Sequence, residues 1–194
     1  MSQALAKLNT RDFAALTPHL ALEPAADTQG CTQITDALDR LDGSRYLTEA
    51  TRLIARAMPR REAVWWAWLC AGDTAPADPP AADSVVRTVA EDLVVQQTDH
   101  SCRIARDRAQ AACRGRPEAW AAIVAFWSGD SMSPEEQPAV PPAAHLAGTA
   151  AAGTVALASV RGDVTRRQER LHRFLESGRN IAVGGPGRLP AETA

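Results

Sequence analysis

The side chains that could do chemistry are few and widely spread. Gly129-Asp130-Ser131-Met132 has the form in which some serine esterases carry their nucleophile, and such a serine needs a histidine base oriented by an acid. In those enzymes the block follows a buried strand near the start of the chain, and an Asp-x-x-His comes late. Here it follows a helical pattern past mid-chain, and the nearest late match is Glu169-Arg170-Leu171-His172. The block therefore predicts a helix-ending turn in which Asp130 or Ser131 satisfies free backbone groups. A small serine hydrolase using Gly129, Asp130 and Ser131 is the alternative enzymatic reading.

Metal chemistry has no better footing. His19, His100, His145 and His172 form no His-x-x-x-His pair and no pair with neighbouring cysteines, so neither a metal nor any other cofactor is expected. Cys31, Cys70, Cys102 and Cys113 lack a C-x-x-C spacing and predict buried free thiols. Arg166, Arg167, Arg170 and Arg173 crowd one helix, but Glu169 and Glu176 are interleaved and no aromatic platform accompanies them, so a solvated face is expected. Arg161-Gly162-Asp163 spells a cell-adhesion tripeptide and reads as a helix break and recap.

With 21 basic and 23 acidic residues, the formal charge of -2 gives no electrostatic case for nucleic acid or an anionic membrane as a partner. The stretch 143–160 is nearly long enough to span a bilayer, yet its Ala, Gly, Thr and Ser content is too weakly apolar for insertion. The opening Met1-Ser2-Gln3-Ala4-Leu5-Ala6-Lys7 lacks a basic segment followed by a sustained apolar one, which sets the expectation of a cytoplasmic protein. At 194 residues, 45% of them hydrophobic, the chain can bury one substantial core.

The elements that would position these side chains are helical throughout. Abundant alanine and few strand formers favour helix, and apolar residues recur three and four apart in every patterned segment. The expected architecture is a single all-α domain, a helical bundle or helical-hairpin array of about six to eight helices. An arm over 1–33 carries a short helix near residues 10–16. The all-helical domain covers 34–178, and a flexible tail runs over 179–194.

Within the domain, a helix from Gln33 is split by Asp42-Gly43-Ser44 and stopped by Pro59. The next runs from Arg60 to Gly72. After a proline loop, Asp83 and Thr98 each cap a helix, and Pro117 starts another that ends at Gly129. Leu146, Ala150, Gly153, Leu157, Val160 and Val164 mark a helix with small residues on its contact face. Leu171, Phe174 and Leu175 are the buried positions of the last helix, which Gly178 closes. Glu62-Ala63 and Glu118-Ala119 hint at a repeat of the helical-hairpin kind.

Three of the five tryptophans stand in one turn, Trp65-Trp66-Ala67-Trp68. Trp65, Trp68 and Leu69 share a face, whereas Trp66 and Cys70 lie roughly 100° further round, so this helix is buried on two sides or meets a partner on one. Trp65 and Trp68 are expected in the core. Trp66, with Arg60 and Arg61 before it, is the expected partner-binding surface, since tryptophan and arginine are common interface anchors.

The run from Leu53 through Met58-Pro59-Arg60-Arg61-Glu62-Ala63-Val64-Trp65-Trp66-Ala67, the segment Ala125-Phe126-Trp127-Ser128-Gly129-Asp130-Ser131-Met132-Ser133-Pro134 and the later Val140-Pro141-Pro142 resemble DUF6931, a family of small helical bacterial proteins of unknown function. The resemblance spans roughly residues 34–184. Asp130 departs from the small residue usual there, and Trp68 is an additional tryptophan. Members are often met near type VI secretion genes, so the resemblance implies a non-enzymatic accessory or adaptor protein that binds another protein, with no catalytic residues to carry over. An immunity-type inhibitor is a third reading.

Overall fold

The computed structural model describes residues 5–20, 22–43, 45–77, 102–105, 107, 115–134, 136–189 and 192. The spacing of Ile34, Ala37, Leu38 and Leu41, all fully buried, makes α1 (Ile34–Gly43). Its end is a Schellman closure: the Arg45 N–H bonds to the Asp42 carbonyl and the Tyr46 N–H to the Leu41 carbonyl. The left-handed residue is Arg45, at φ 63°, and not Gly43. α2 (Leu47–Ala57) buries Leu47, Ala50, Leu53, Ile54 and Ala57 and ends as expected before Pro59, which heads α3 (Arg60–Asp73).

Residues 102–105 are helical, with Cys102 and Ala105 buried. The helices expected from Asp83 and Thr98 otherwise lie outside the described residues, as does Cys113. Pro117 takes the first position of α4 (Pro117–Ser128), where no N–H is required of it. α5 (Leu146–Ser159) follows the proline loop. Then Gly162, at φ 66°, turns the chain, and Asp163 accepts from the Thr165 N–H at 2.9 Å to start a 3-10 turn, Val164–Arg166. α6 (Arg167–Ala182) runs straight on from it. The adhesion-like tripeptide is thus the break and recap that its sequence implies. Its Arg161 is ion-paired with the buried Glu118 in the first turn of α4.

Among the described residues there is no strand, only an isolated bridge between Asp12 and Gln33. The fold is all-α, and α5 is its centre: α2, α3, α4 and α6 all pack against it. Its sequence buries Ala147, Gly148, Ala150, Ala151, Thr154, Val155, Ala158 and Ser159, a face rotated from the expected line through Leu146, Gly153 and Leu157, while Val160 and Val164 are exposed and lie beyond the helix. The two buried hydroxyls bond back to their own helix, Thr154 to the Ala150 carbonyl at 3.0 Å and Ser159 to that of Ala156 at 2.7 Å. No helix among the described residues is long and apolar enough to cross a membrane.

The N-terminal arm is a packed layer. In place of the helix expected over 10–16 there are turns and a short 3-10 helix, Thr17–His19. Leu5, Phe13 and Ala26 are buried, the Lys7 N–H bonds to the Ala182 carbonyl, and the Asn9 N–H to that of Ala57. Burial of single apolar anchors, not helical periodicity, holds this segment.

At Gly148 two helices come into close approach. A Cβ there would lie 2.7 Å from the Arg56 Cα and 2.8 Å from the Ala55 carbonyl oxygen, both backbone atoms of α2. Gly148→Ala should therefore destabilise by about 1–3 kcal/mol through overpacking, against the gain of about 1 kcal/mol that alanine brings to an open helix. A urea melt with an unchanged or raised midpoint would show that α2 and α5 can part without loss.

Candidate functional site

α3 is buried on two sides, with α4 and α5 on one and α6 on the other. Trp66 is the tryptophan deepest inside, fully buried, and its Nε1–H donates to the Phe174 carbonyl at 2.9 Å. This corrects the expectation that Trp66 faces a partner. An indole enclosed by helices needs an acceptor for its N–H, and α6 supplies one. Gly178 lies 3.2 Å, by the Cβ it lacks, from the Trp66 ring, so it makes room for the indole and does not close the helix. Trp68 is 6% exposed, as a core residue should be, whereas Trp65 and Leu69 are only half-buried.

The other two residues of the expected partner patch do not form one surface with Trp66. Arg60 is half-buried and reaches the end of α4, its Nη1 donating to the Gly129 carbonyl at 3.5 Å while its own carbonyl accepts from Ser128. Arg61 is exposed.

Of the three tryptophans in this turn, Trp65 is the accessible one, and the chain's own C-terminal segment lies over it. α6 continues past Gly178 to Ala182 and closes through Gly184, at φ 97°. Residues 185–189 then fold back between α3 and α6 where a flexible tail was expected. Trp65 Nε1–H donates to the Pro186 carbonyl at 2.9 Å, Ser177 Oγ–H to the Gly187 carbonyl at 2.5 Å, and the Gly187 N–H to Asn180 Oδ1 at 2.8 Å. Gly187 has φ 67°, and a Cβ on it would sit 2.4 Å from Ile181, so the glycines that read as looseness permit contact instead.

Further on, Glu192 binds three arginines of the face expected to be solvated: Arg166 at 3.1 Å, Arg170 at 2.5 Å and Arg173 at 3.4 Å. Arg170 is 6% exposed and also donates to the Arg161 and Asp163 carbonyls. Arg173 pairs with Asp73 at the end of α3, 2.8 Å away. The correction has a simple cause: Arg170 and Arg173, three residues apart and little exposed, require carboxylates, and these come from Glu192 and Asp73 on other segments, while Arg166 also pairs with Glu169 of the helix itself, 3.2 Å away. Hydrogen bonding from Arg170 holds the Glu192 carboxyl below the usual carboxylate range. Burial pushes that of Asp73 up, with Arg173 working against it.

Two clefts flank the segment. One, of about 370 Å³, is lined by Trp65, Trp68, Leu69, Asp73 and Arg188; the other, of about 480 Å³, by His172, Arg173, Glu176, Asn180 and Arg188. The first offers flat apolar faces with a charge of each sign at its rim, which suits binding more than bond-making. In the second, the Ser177 hydroxyl is already committed to Gly187.

The remaining sequence candidates resolve structurally. Ser131 is 5% exposed; its Oγ accepts from the Ser133 and Val140 N–H groups and lies 2.8 Å from Ser133 Oγ, which itself donates to the Pro138 carbonyl. It pins the proline loop, as a turn serine does. Cys31, Cys70 and Cys102 form no disulfide among the described residues, and burial raises the Cys70 thiol well above its ordinary value. Asp42, His172 and Glu176 bring ligand atoms within 4.8 Å of one another, but His172 and Glu176 are exposed and Arg179 stands 3.8 Å from Asp42 and 3.7 Å from Glu176, supplying the positive charge already.

Trp66→Ala should cost about 3–5 kcal/mol in a denaturant melt. Trp65→Phe, which removes chiefly the donor to Pro186, should cost about 1 kcal/mol and speed amide exchange over 185–189. Equal losses would show the two faces misassigned. The Glu192 carboxyl, depressed in the folded state, stabilises the docked segment at pH values above the unfolded carboxylate's range, and this contribution falls away as pH drops through the folded value. Exchange over 185–189 should accordingly rise on acidification, and Glu192→Gln should show the fast exchange already at neutral pH; a segment equally protected in both would remove Glu192 as its anchor.

No curated protein and no solved structure matches the chain. One family does, over residues 37–182, the span from α1 to the last residue of α6. The chain belongs to that family, DUF6931, a family of unknown function.

Proposed function

We propose that this protein is a non-enzymatic accessory protein that binds another protein at the cleft beside the tryptophan helix. The observation that carries the reading is a cleft of about 370 Å³ on which the half-buried Trp65 and Leu69 open beside the edge of Trp68, bounded by Asp73 and Arg188. Large aromatic side chains with an arginine at the rim are what a protein partner anchors on. The neighbouring surface already holds a backbone segment, that of Pro186 and Gly187, through side-chain donors, which is the chemistry a partner's segment would meet. In the setting that the family resemblance implies, a bacterial cytoplasm, the partner is a component of type VI secretion machinery.

A photo-crosslinking residue placed at Arg188 tests this in the native host, with the same residue at the exposed Val140 as control. Position 188 should give a discrete adduct that position 140 does not, and Trp65→Ala should reduce it about tenfold, the size of a modest interface anchor. No adduct at 188, or the same adducts at both positions, would overturn the reading.

A further inference from the structure

Residues 185–189 and Glu192 lie on the protein as a bound peptide lies on its receptor. The contacts are of three kinds. The main chain is read by side chains of α3 and α6: Trp65 Nε1–H donates to the Pro186 carbonyl, Ser177 Oγ–H to the Gly187 carbonyl, and Asn180 Oδ1 accepts from the Gly187 N–H. One position is read for size, since a Cβ on Gly187 would run into Ile181 and φ there is 67°. A carboxylate is read by charge, where Arg166, Arg170 and Arg173 converge on Glu192, five residues further on.

Apolar anchoring is slight. Of residues 186–189 only Gly187 is buried, and it brings no side chain, while open clefts run along both edges of the segment. A stretch held by polar contacts with little buried apolar surface opens at small cost while the body stays folded. Receptor and occupant also part along the sequence. Trp65, the three arginines, Ser177, Asn180 and Ile181 all stand within 37–182, the stretch that matches the family, whereas the occupant begins beyond it, across Gly184 and Gly185.

We propose that the groove between α3 and α6 is a peptide-docking site, that its ligand is a polypeptide segment carrying a glycine and, five residues later, an aspartate or glutamate, and that the chain's own segment holds the place until such a ligand displaces it. If the adjoining cleft is where the partner binds, as read above, this is the segment that the partner inserts. Being tethered, the resident segment competes at an effective concentration in the millimolar range, so a free peptide binds the parent chain far more weakly than a chain whose own segment is loosened. Arg188 travels with that segment but stays within roughly 14 Å of Gly184, and so remains at the edge of the groove.

The test uses the full chain and a fluorescein-labelled synthetic peptide of its residues 183–194, read by anisotropy. Glu192→Gln in the chain should raise peptide affinity about tenfold or more, the size of one charged hydrogen bond lost by the competitor. Gly187→Ala in the chain should do the same, because the clash with Ile181 expels the resident segment, and it serves should Glu192→Gln melt early. Peptides carrying either substitution should bind about tenfold more weakly than the unsubstituted one. In an isotope-labelled parent chain, millimolar unlabelled peptide should speed amide exchange over 185–189 and leave α5 as it was. Parent-level binding by the variant that folds, indifference to both peptide substitutions, or unmoved exchange over 185–189 would overturn the site. None of these depends on the host's partner: an adduct at position 188 without peptide displacement overturns the docking site and leaves the cleft reading standing, and displacement without an adduct does the reverse.

Discussion

The closeness of approach to α5 is the constraint on which the rest of the structure depends. Four helices share it as a neighbour, and the usual separation of packed helices is set by the side chains between them. α5 has almost none to interpose: its buried face is alanine, glycine, serine and threonine with one valine. At Gly148 the backbone of α2 comes so near that even a methyl group is excluded. Bulk therefore has to come from the outer helices, and it does: Leu53 and Ile54 from α2, Trp66 from α3, Phe174 and Leu175 from α6. A slim centre and heavy surroundings are two sides of one packing solution.

Charge is handled with the same economy of distance. α6 carries arginines toward four different places: Arg167 to Thr48 of α2, Arg170 and Arg173 to Glu192, Arg173 also to Asp73 of α3, and Arg179 to Asp39 of α1. Each tie spans distant parts of the chain, so α6 is fixed by electrostatic contacts along its outer edge as well as by Leu171 and Phe174 inside. Desolvation offsets much of the attraction of the more buried of these pairs, so their number is no measure of net stability.

What the sequence disclosed follows from the strength of its local signals. α1 to α4 could be placed within a residue or so, since Pro59, Pro117 and the spacing of large apolar residues are unambiguous. The face of α5 could not, because a helix made of small residues has little contrast between its sides. The same holds for α3, apolar nearly all round, where Trp65 and Trp66 exchanged their expected places. Gly184-Gly185-Pro186-Gly187 has the composition of a loose tail, and only the shape of Ile181 and Asn180 beneath it shows that glycine is there for contact. Trp65 could be found as part of a tryptophan turn but not as its accessible member. The stacking of His19 on His145 leaves no trace in spacing, since the two come together only when the arm docks.

The bond from the Lys7 N–H to the Ala182 carbonyl joins nearly opposite ends of the described chain. Loop-closure entropy grows with the length enclosed, so this contact is costly to form before α2 and α6 stand side by side. Assembly is thus expected to have a direction, with the helices around α5 first and the arm and the returning segment fastened last.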